Sequence, residues 1–86
     1  MRLFKFKSAD EKLAEIGFKK IVENEYGVVY ARYDKKYKYT QVVDISQISS
    51  GYHIIHSYDV DSKGCSCVGL TAYEMKLFMK KMKQLG

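Results

Sequence analysis

The sequence predicts an α+β fold in which a short helix, four antiparallel strands and a longer helix follow one another. Three observations carry this. Ser8-Ala9-Asp10-Glu11 and Thr71-Ala72-Tyr73-Glu74 both have the form of a capping box, in which a hydroxyl accepts from a free backbone N–H and a glutamate three residues on reaches back. Between the helices they start, about fifty residues alternate or cluster β-branched and aromatic side chains, with no helical period. Three turn signals divide that stretch into hairpins. The expectation is a single domain over 1–86, with a four-stranded antiparallel meander and both helices on one face of the sheet. A short edge strand through Phe4 and Phe6 is expected ahead of the first helix.

The first helix is expected over Ala9–Ile16, because Ala9, Leu13 and Ile16 share one face. Asp10 and Glu11 sit in its first turn, where the dipole favours negative charge, and Gly17 ends it in a left-handed conformation. Phe18 to Asn24 reads as the first strand and Glu25-Tyr26-Gly27 as a tight turn. Val28 to Tyr33 forms the second strand, and Asp34-Lys35-Lys36 the next turn. A third strand, Tyr37 to Ile45, has its odd positions mostly apolar and should bury that side. Ser49-Ser50-Gly51 turns into a fourth strand, Tyr52 to Tyr58, whose apolar residues fall on both parities and leave its facing open. Asp59 to Gly69 reads as a loop. The last helix, about Ala72 to Leu85, is expected to bury Ala72, Met75, Phe78, Met79, Met82 and Leu85, with Leu70 and Met75 as a hydrophobic staple.

Composition narrows the functional classes. Eighty-six residues allow one small core. The alternating start Met1-Arg2-Leu3-Phe4-Lys5-Phe6-Lys7 resembles neither a signal peptide nor a membrane span, so a cytoplasmic location is expected. The net charge is +5, yet Arg2 and Arg32 are the only arginines among fifteen basic residues. Lysine is a solvated point charge without the bidentate fork of arginine, which disfavours sequence-specific reading of nucleic acid. A weak, salt-sensitive contact with a phosphate backbone remains the alternative, through Arg2, Lys5, Lys7, Lys35, Lys36, Lys38 and the lysines of the last helix, Lys83 among them. Seven tyrosines lie within Tyr26–Tyr58. An RNA-recognition module would place a helix between its third and fourth strands, so these tyrosines read as sheet residues.

His53, His56, Cys65 and Cys67 have the donor types of a structural zinc site. Their spacing opposes it: residues three apart in a strand point to opposite faces, and Cys-x-Cys is tighter than the usual thiolate gap. No phosphate loop, nucleophile–base pair or thioredoxin-type motif is recognisable, so no enzyme activity and no cofactor are expected. On a helical wheel Tyr73 and Leu77 fall opposite the Met75/Phe78/Met82 side, among Lys76, Lys80 and Lys83. Tyr73, Leu77, Lys76 and Lys80 are therefore the expected contact surface for a protein partner or a second copy of the chain. Replacing Tyr73 and Leu77 with serine is expected to disturb association without harming the fold.

Three segments carry a resemblance: Ala9-Asp10-Glu11-Lys12-Leu13-Ala14-Glu15-Ile16-Gly17-Phe18, Val28-Val29-Tyr30, and Gly69-Leu70-Thr71-Ala72-Tyr73-Glu74-Met75-Lys76. Together they resemble small uncharacterised proteins encoded by phages, prophages and mobile elements of Gram-positive bacteria. The resemblance transfers no activity and no functional residue; the role expected of the chain is that of a non-enzymatic accessory or protein-interaction module.

Overall fold

The computed structural model describes residues 8–60 and 67–85. Their order is α1 (Ala9–Glu15), β1 (Lys19–Asn24), β2 (Gly27–Asp34), β3 (Tyr39–Gln47), β4 (His53–Asp59) and α2 (Ala72–Leu85). The strands form one antiparallel sheet in chain order, with both helices on the same face, as the sequence predicts. The N-terminal edge strand expected through Phe4 and Phe6 lies outside the described residues.

Both capping boxes form. Ser8 Oγ accepts from Glu11 N and Glu11 Oε1 accepts from Ser8 N, each at 3.1 Å. Thr71 Oγ1 accepts from Glu74 N at 3.1 Å, and Glu74 Oε1 accepts from Thr71 N at 2.9 Å. At the end of α1, Gly17 N donates to Ala14 O and Phe18 N to Leu13 O. That hydrogen-bond pair closes a Schellman motif, with Gly17 at φ 97°. The turn drops Phe18 directly into the core.

Two strand boundaries shift for local reasons. Asp34 Oδ1 accepts from Tyr37 N and Lys38 takes a left-handed φ of 55°, so Tyr37 and Lys38 belong to the turn and β3 starts at Tyr39. In the first hairpin, Asn24 Oδ1 accepts from both Tyr26 N and Gly27 N. Gly27 there lies against β3, where a Cβ would come within 2.0 Å of Ile45 O.

Register assigns each strand side. Val28, Tyr30 and Arg32 of β2, Gln41, Val43 and Ile45 of β3, and Ile55 and Ser57 of β4 face the helices. Val28, Tyr30, Val43 and Ile45 form the core together with Leu13, Phe18, Leu77 and Phe78, and Ile55 packs against it. Phe78 sits at its centre, edge-on to Phe18 at 5.1 Å and to Tyr30 at 5.4 Å.

The face that α2 buries is the main correction to the sequence reading. Its buried residues are Glu74, Leu77, Phe78 and Lys81, with Met82 and Leu85 partly buried, while Met75 and Met79 are exposed. Leu77, expected on the outer surface, is 5% exposed and belongs to the core. Relative to the expected apolar side, the helix is turned by roughly a quarter revolution. The physical cause is that two of its charged residues find partners in the interior. Leu70 still packs against the core, but Met75, its expected staple partner, stays exposed.

Candidate interaction surfaces

Glu74 and Lys81 anchor two polar seams between the helices and the sheet. In the first, Arg32 of β2 reaches under α2, with Nη1 at 2.8 Å from Glu74 Oε2. The same guanidinium donates to Gln41 Oε1 and Ile16 O and lies 4.1 Å from the centre of the Phe18 ring. Gln41, itself buried, donates onward to Ser57 Oγ at 2.9 Å. Glu74 thus caps α2 with one carboxylate oxygen and ties the helix to the sheet with the other.

The second seam joins α1, β1, β2 and α2. Lys81 Nζ lies 3.3 Å from Asp10 Oδ2 and 3.2 Å from Glu23 Oε1, and Lys20 Nζ contacts the same two carboxylates at 3.1 and 2.9 Å. The Tyr30 hydroxyl donates to Asp10 Oδ1. Lys20 and Glu23 are three apart, which in a regular strand would put them on opposite faces. A bulge between Lys20 and Val22 absorbs Ile21 and brings both onto the helix side. The bulge was not legible in the sequence, and the cluster depends on it.

These partners shift the titration of the seam. Burial acts to raise the Asp10 pKa, but the Tyr30 hydroxyl and the Lys20 and Lys81 ammonium groups outweigh it and hold the carboxyl below its usual 3.8. Hydrogen bonds from Lys20 and Lys81 hold Glu23 below its usual 4.5. Burial first, and then Asp10, push the Tyr30 phenol well above its usual 10.0.

The stability contributed by the two depressed acids is present above their ordinary values and is lost as pH falls through the lowered ones. The raised phenol acts in the opposite sense. Its contribution is complete below pH 10.0 and is lost as pH rises toward its folded value. The melting temperature is therefore expected to fall on the acid side below about pH 4 and on the alkaline side above about pH 10. Tyr30→Phe should cost about 1.5–3 kcal/mol at neutral pH, the worth of a hydrogen bond to a charged group, and make the alkaline fall shallower. Melting curves collected across pH check both.

With the helices on one side, the other side of the sheet is uncovered among the described residues. It carries Val22 of β1, Val29, Ala31 and Tyr33 of β2, Thr40, Val42, Asp44 and Ser46 of β3, and Ile54, His56 and Tyr58 of β4. Val22, Tyr33 and Ile54 are among the exposed large apolar side chains, and the His56 and Tyr58 rings lie 4.8 Å apart. A hollow of about 170 Å³ lies beside Gly27, walled by Val22, Asn24, Tyr26, Val29, Asp44 and Ser46. The sheet edge at β1 is exposed along its length, but its bulge and lysines oppose strand addition.

Two other surfaces hold sequence-predicted residues. On the outer side of α2, Tyr73 is 52% exposed, with Lys76 and Lys80 also exposed, so these three remain candidates while Leu77 does not. A cavity of about 450 Å³ lies between the C-terminal end of α2 and the hairpin turns, lined by Glu25, Gln47, Tyr52, His53, Met82 and Lys83 among others. Its carboxylate, ammonium and imidazole groups select no one ligand charge.

The cations of the nucleic-acid alternative are dispersed. Lys35, Lys36 and Lys38 occupy the β2–β3 turn and its margin, Lys83 stands by the opposite end of the sheet, and Lys20 and Lys81 are held by carboxylates. Arg2, Lys5 and Lys7 lie outside the described residues.

His53 faces the helix side of β4 and lines the larger cavity, whereas His56 is exposed on the open side. Cys67 bridges to Tyr58, and Cys65 lies outside the described residues. Among the described residues no three metal-ligating side chains gather. No helix among them is long and apolar enough to cross a membrane. No family model, no curated protein and no solved structure matches the chain.

Proposed function

We propose that this chain is a non-enzymatic accessory module that works by binding another protein through the open side of its sheet. The observation that carries the reading is the composition of that side. Val22 and Val29 adjoin Ala31, Val42 and Tyr58 in one apolar field, and Asp44 beside His56 separates that field from Ile54. Contiguous exposed apolar surface marks contact sites, and a central carboxylate would repel a phosphate backbone. Tyr73, Lys76 and Lys80 on α2 offer a second, more polar contact surface. A cytoplasmic setting and a phage or mobile-element origin belong to the same proposal, and the origin rests on the resemblance.

The test captures binding partners on the immobilised chain from host lysate with and without nuclease, at low and at high salt. A stoichiometric protein retained at high salt and lost with Val42→Arg is the expected result. Retention only of material that nuclease or salt removes overturns the proposal in favour of weak, sequence-nonspecific nucleic-acid binding by the lysines.

A further inference from the structure

The geometry points to a second copy of this chain as an occupant of the open side of the sheet, with Tyr33 of each copy entering the hollow beside Gly27 of the other. The inference rests on the reading of that side as a protein-binding surface and names what covers it.

The open side is uneven along the strands. Cross-strand pairing sets four rows: Tyr33 with Thr40; Lys19, Ala31, Val42 and Tyr58; Val22, Val29, Asp44 and His56; and Asn24, Gly27, Ser46 and Ile54. The first two rows carry the tyrosines, and the last has the smallest side chains at its centre. A two-fold axis lying between two facing sheets and running across the strands turns each strand end for end. The Tyr33 row then meets the Gly27 row, and the Val42 row meets the Asp44 row. Projection meets hollow twice by symmetry, as an isologous interface requires.

Size and chemistry agree with this placement. The hollow of about 170 Å³ is of side-chain scale and falls below the roughly 300–1,000 Å³ of sites for small-molecule ligands. Its walls combine Val22 and Val29 with the polar groups of Asn24, Asp44 and Ser46, which suits an aromatic ring ending in a hydroxyl. Tyr33 is 57% exposed and is a ring of that kind on the same face. Asp44 has no ion pair among the described residues, so a tyrosine hydroxyl donating to its carboxylate supplies a partner.

The available area fits a weak pairing. Four strands and about seven residues along each give a footprint of roughly 450 Å² per copy. Because accessible area exceeds flat footprint, two copies bury about 1,000 Å² together, the lower bound for a specific interface.

Sedimentation equilibrium over about 10 μM to about 1 mM tests this, the range in which an interface of that size dissociates. The wild-type chain should shift from monomer to dimer across the range. Tyr33→Ser should weaken the dimer about tenfold or more, as removal of an anchoring aromatic does, and Val42→Arg should leave a monomer throughout. Both side chains point away from the core, so circular dichroism should show the fold unchanged. A wild-type chain that stays monomeric, or a dimer indifferent to both variants, overturns the inference. Captured partners then separate the two ideas: a heterologous partner lost with Val42→Arg retains the open side as a binding surface and overturns only self-docking. Capture indifferent to Val42→Arg, together with a wild-type chain that stays monomeric, overturns both.

Discussion

Leu77→Ser is expected to unfold this domain or nearly so, whereas Tyr73→Ser, four residues away on the same helix, should leave it intact. Leu77 belongs to the core cluster with Leu13, Phe18, Val28, Tyr30 and Phe78 and is 5% exposed. Truncating a buried leucine costs about 2–5 kcal/mol through lost transfer energy and the cavity left behind, and the serine hydroxyl adds an unsatisfied polar group. A domain of this size has roughly 5–10 kcal/mol in total, so the loss consumes much of it. Tyr73 is half exposed, and its replacement should stay within about 0.5 kcal/mol. Urea denaturation of the two variants gives the comparison. Equal, small losses would mean that α2 presents a different face to the sheet.

The second large effect is expected at Glu74. Glu74→Ala removes three things together: the acceptor for Thr71 N, the capping box of α2, and the partner of Arg32. Breaking a buried ion pair costs about 3–5 kcal/mol because it strands the other charge. Arg32 keeps about a quarter of its side chain exposed, so a loss of about 3 kcal/mol is expected, toward the lower end of that range. A double-mutant cycle separates the pair from the cap. Glu74→Gln keeps an acceptor for the cap, and Arg32→Met keeps an apolar stem over Phe18. The doubly substituted chain should be more stable than the sum of the single losses implies, by about 1–3 kcal/mol. Strict additivity would show that the ion pair contributes nothing of its own.

These two residues also mark where the sequence stopped being legible. Local punctuation was readable: the capping boxes, the Gly17 stop and the hairpin turns each depend on residues within a few positions of one another. The rotation of α2 was not. Glu74 and Lys81 occupy the buried side, where a wheel drawn from hydropathy expects apolar residues, so hydropathy alone points the Met75/Met79 side at the core. What licenses their burial is distant in sequence: Arg32 for one, Asp10 and Glu23 for the other. The bulge at Ile21 was hidden for the same reason, since it makes sense only once Lys20 and Glu23 must both reach the helix side. The facing of β4 was ambiguous because Ile54 and Ile55 are equally apolar. Pairing with β3 decides it, sending Ile55 inward and leaving Ile54, His56 and Tyr58 outside.

The candidate surface moved accordingly. Tyr73, Lys76 and Lys80 stay on the outside of α2, but Leu77, which would have made that patch apolar, is in the core. The larger apolar field lies on the other side of the sheet, and no single strand reveals it. Val22 becomes a neighbour of Val29, and Ala31 of Val42 and Tyr58, only through the register of four strands.

The most direct test of this account is a dilution series followed residue by residue by amide nuclear magnetic resonance. Concentration-dependent shifts are expected to centre on Tyr33, Val42, Asp44 and His56, with the outer side of α2 unchanged. Shifts confined to Tyr73, Lys76 and Lys80, with the open side of the sheet silent, would contradict it.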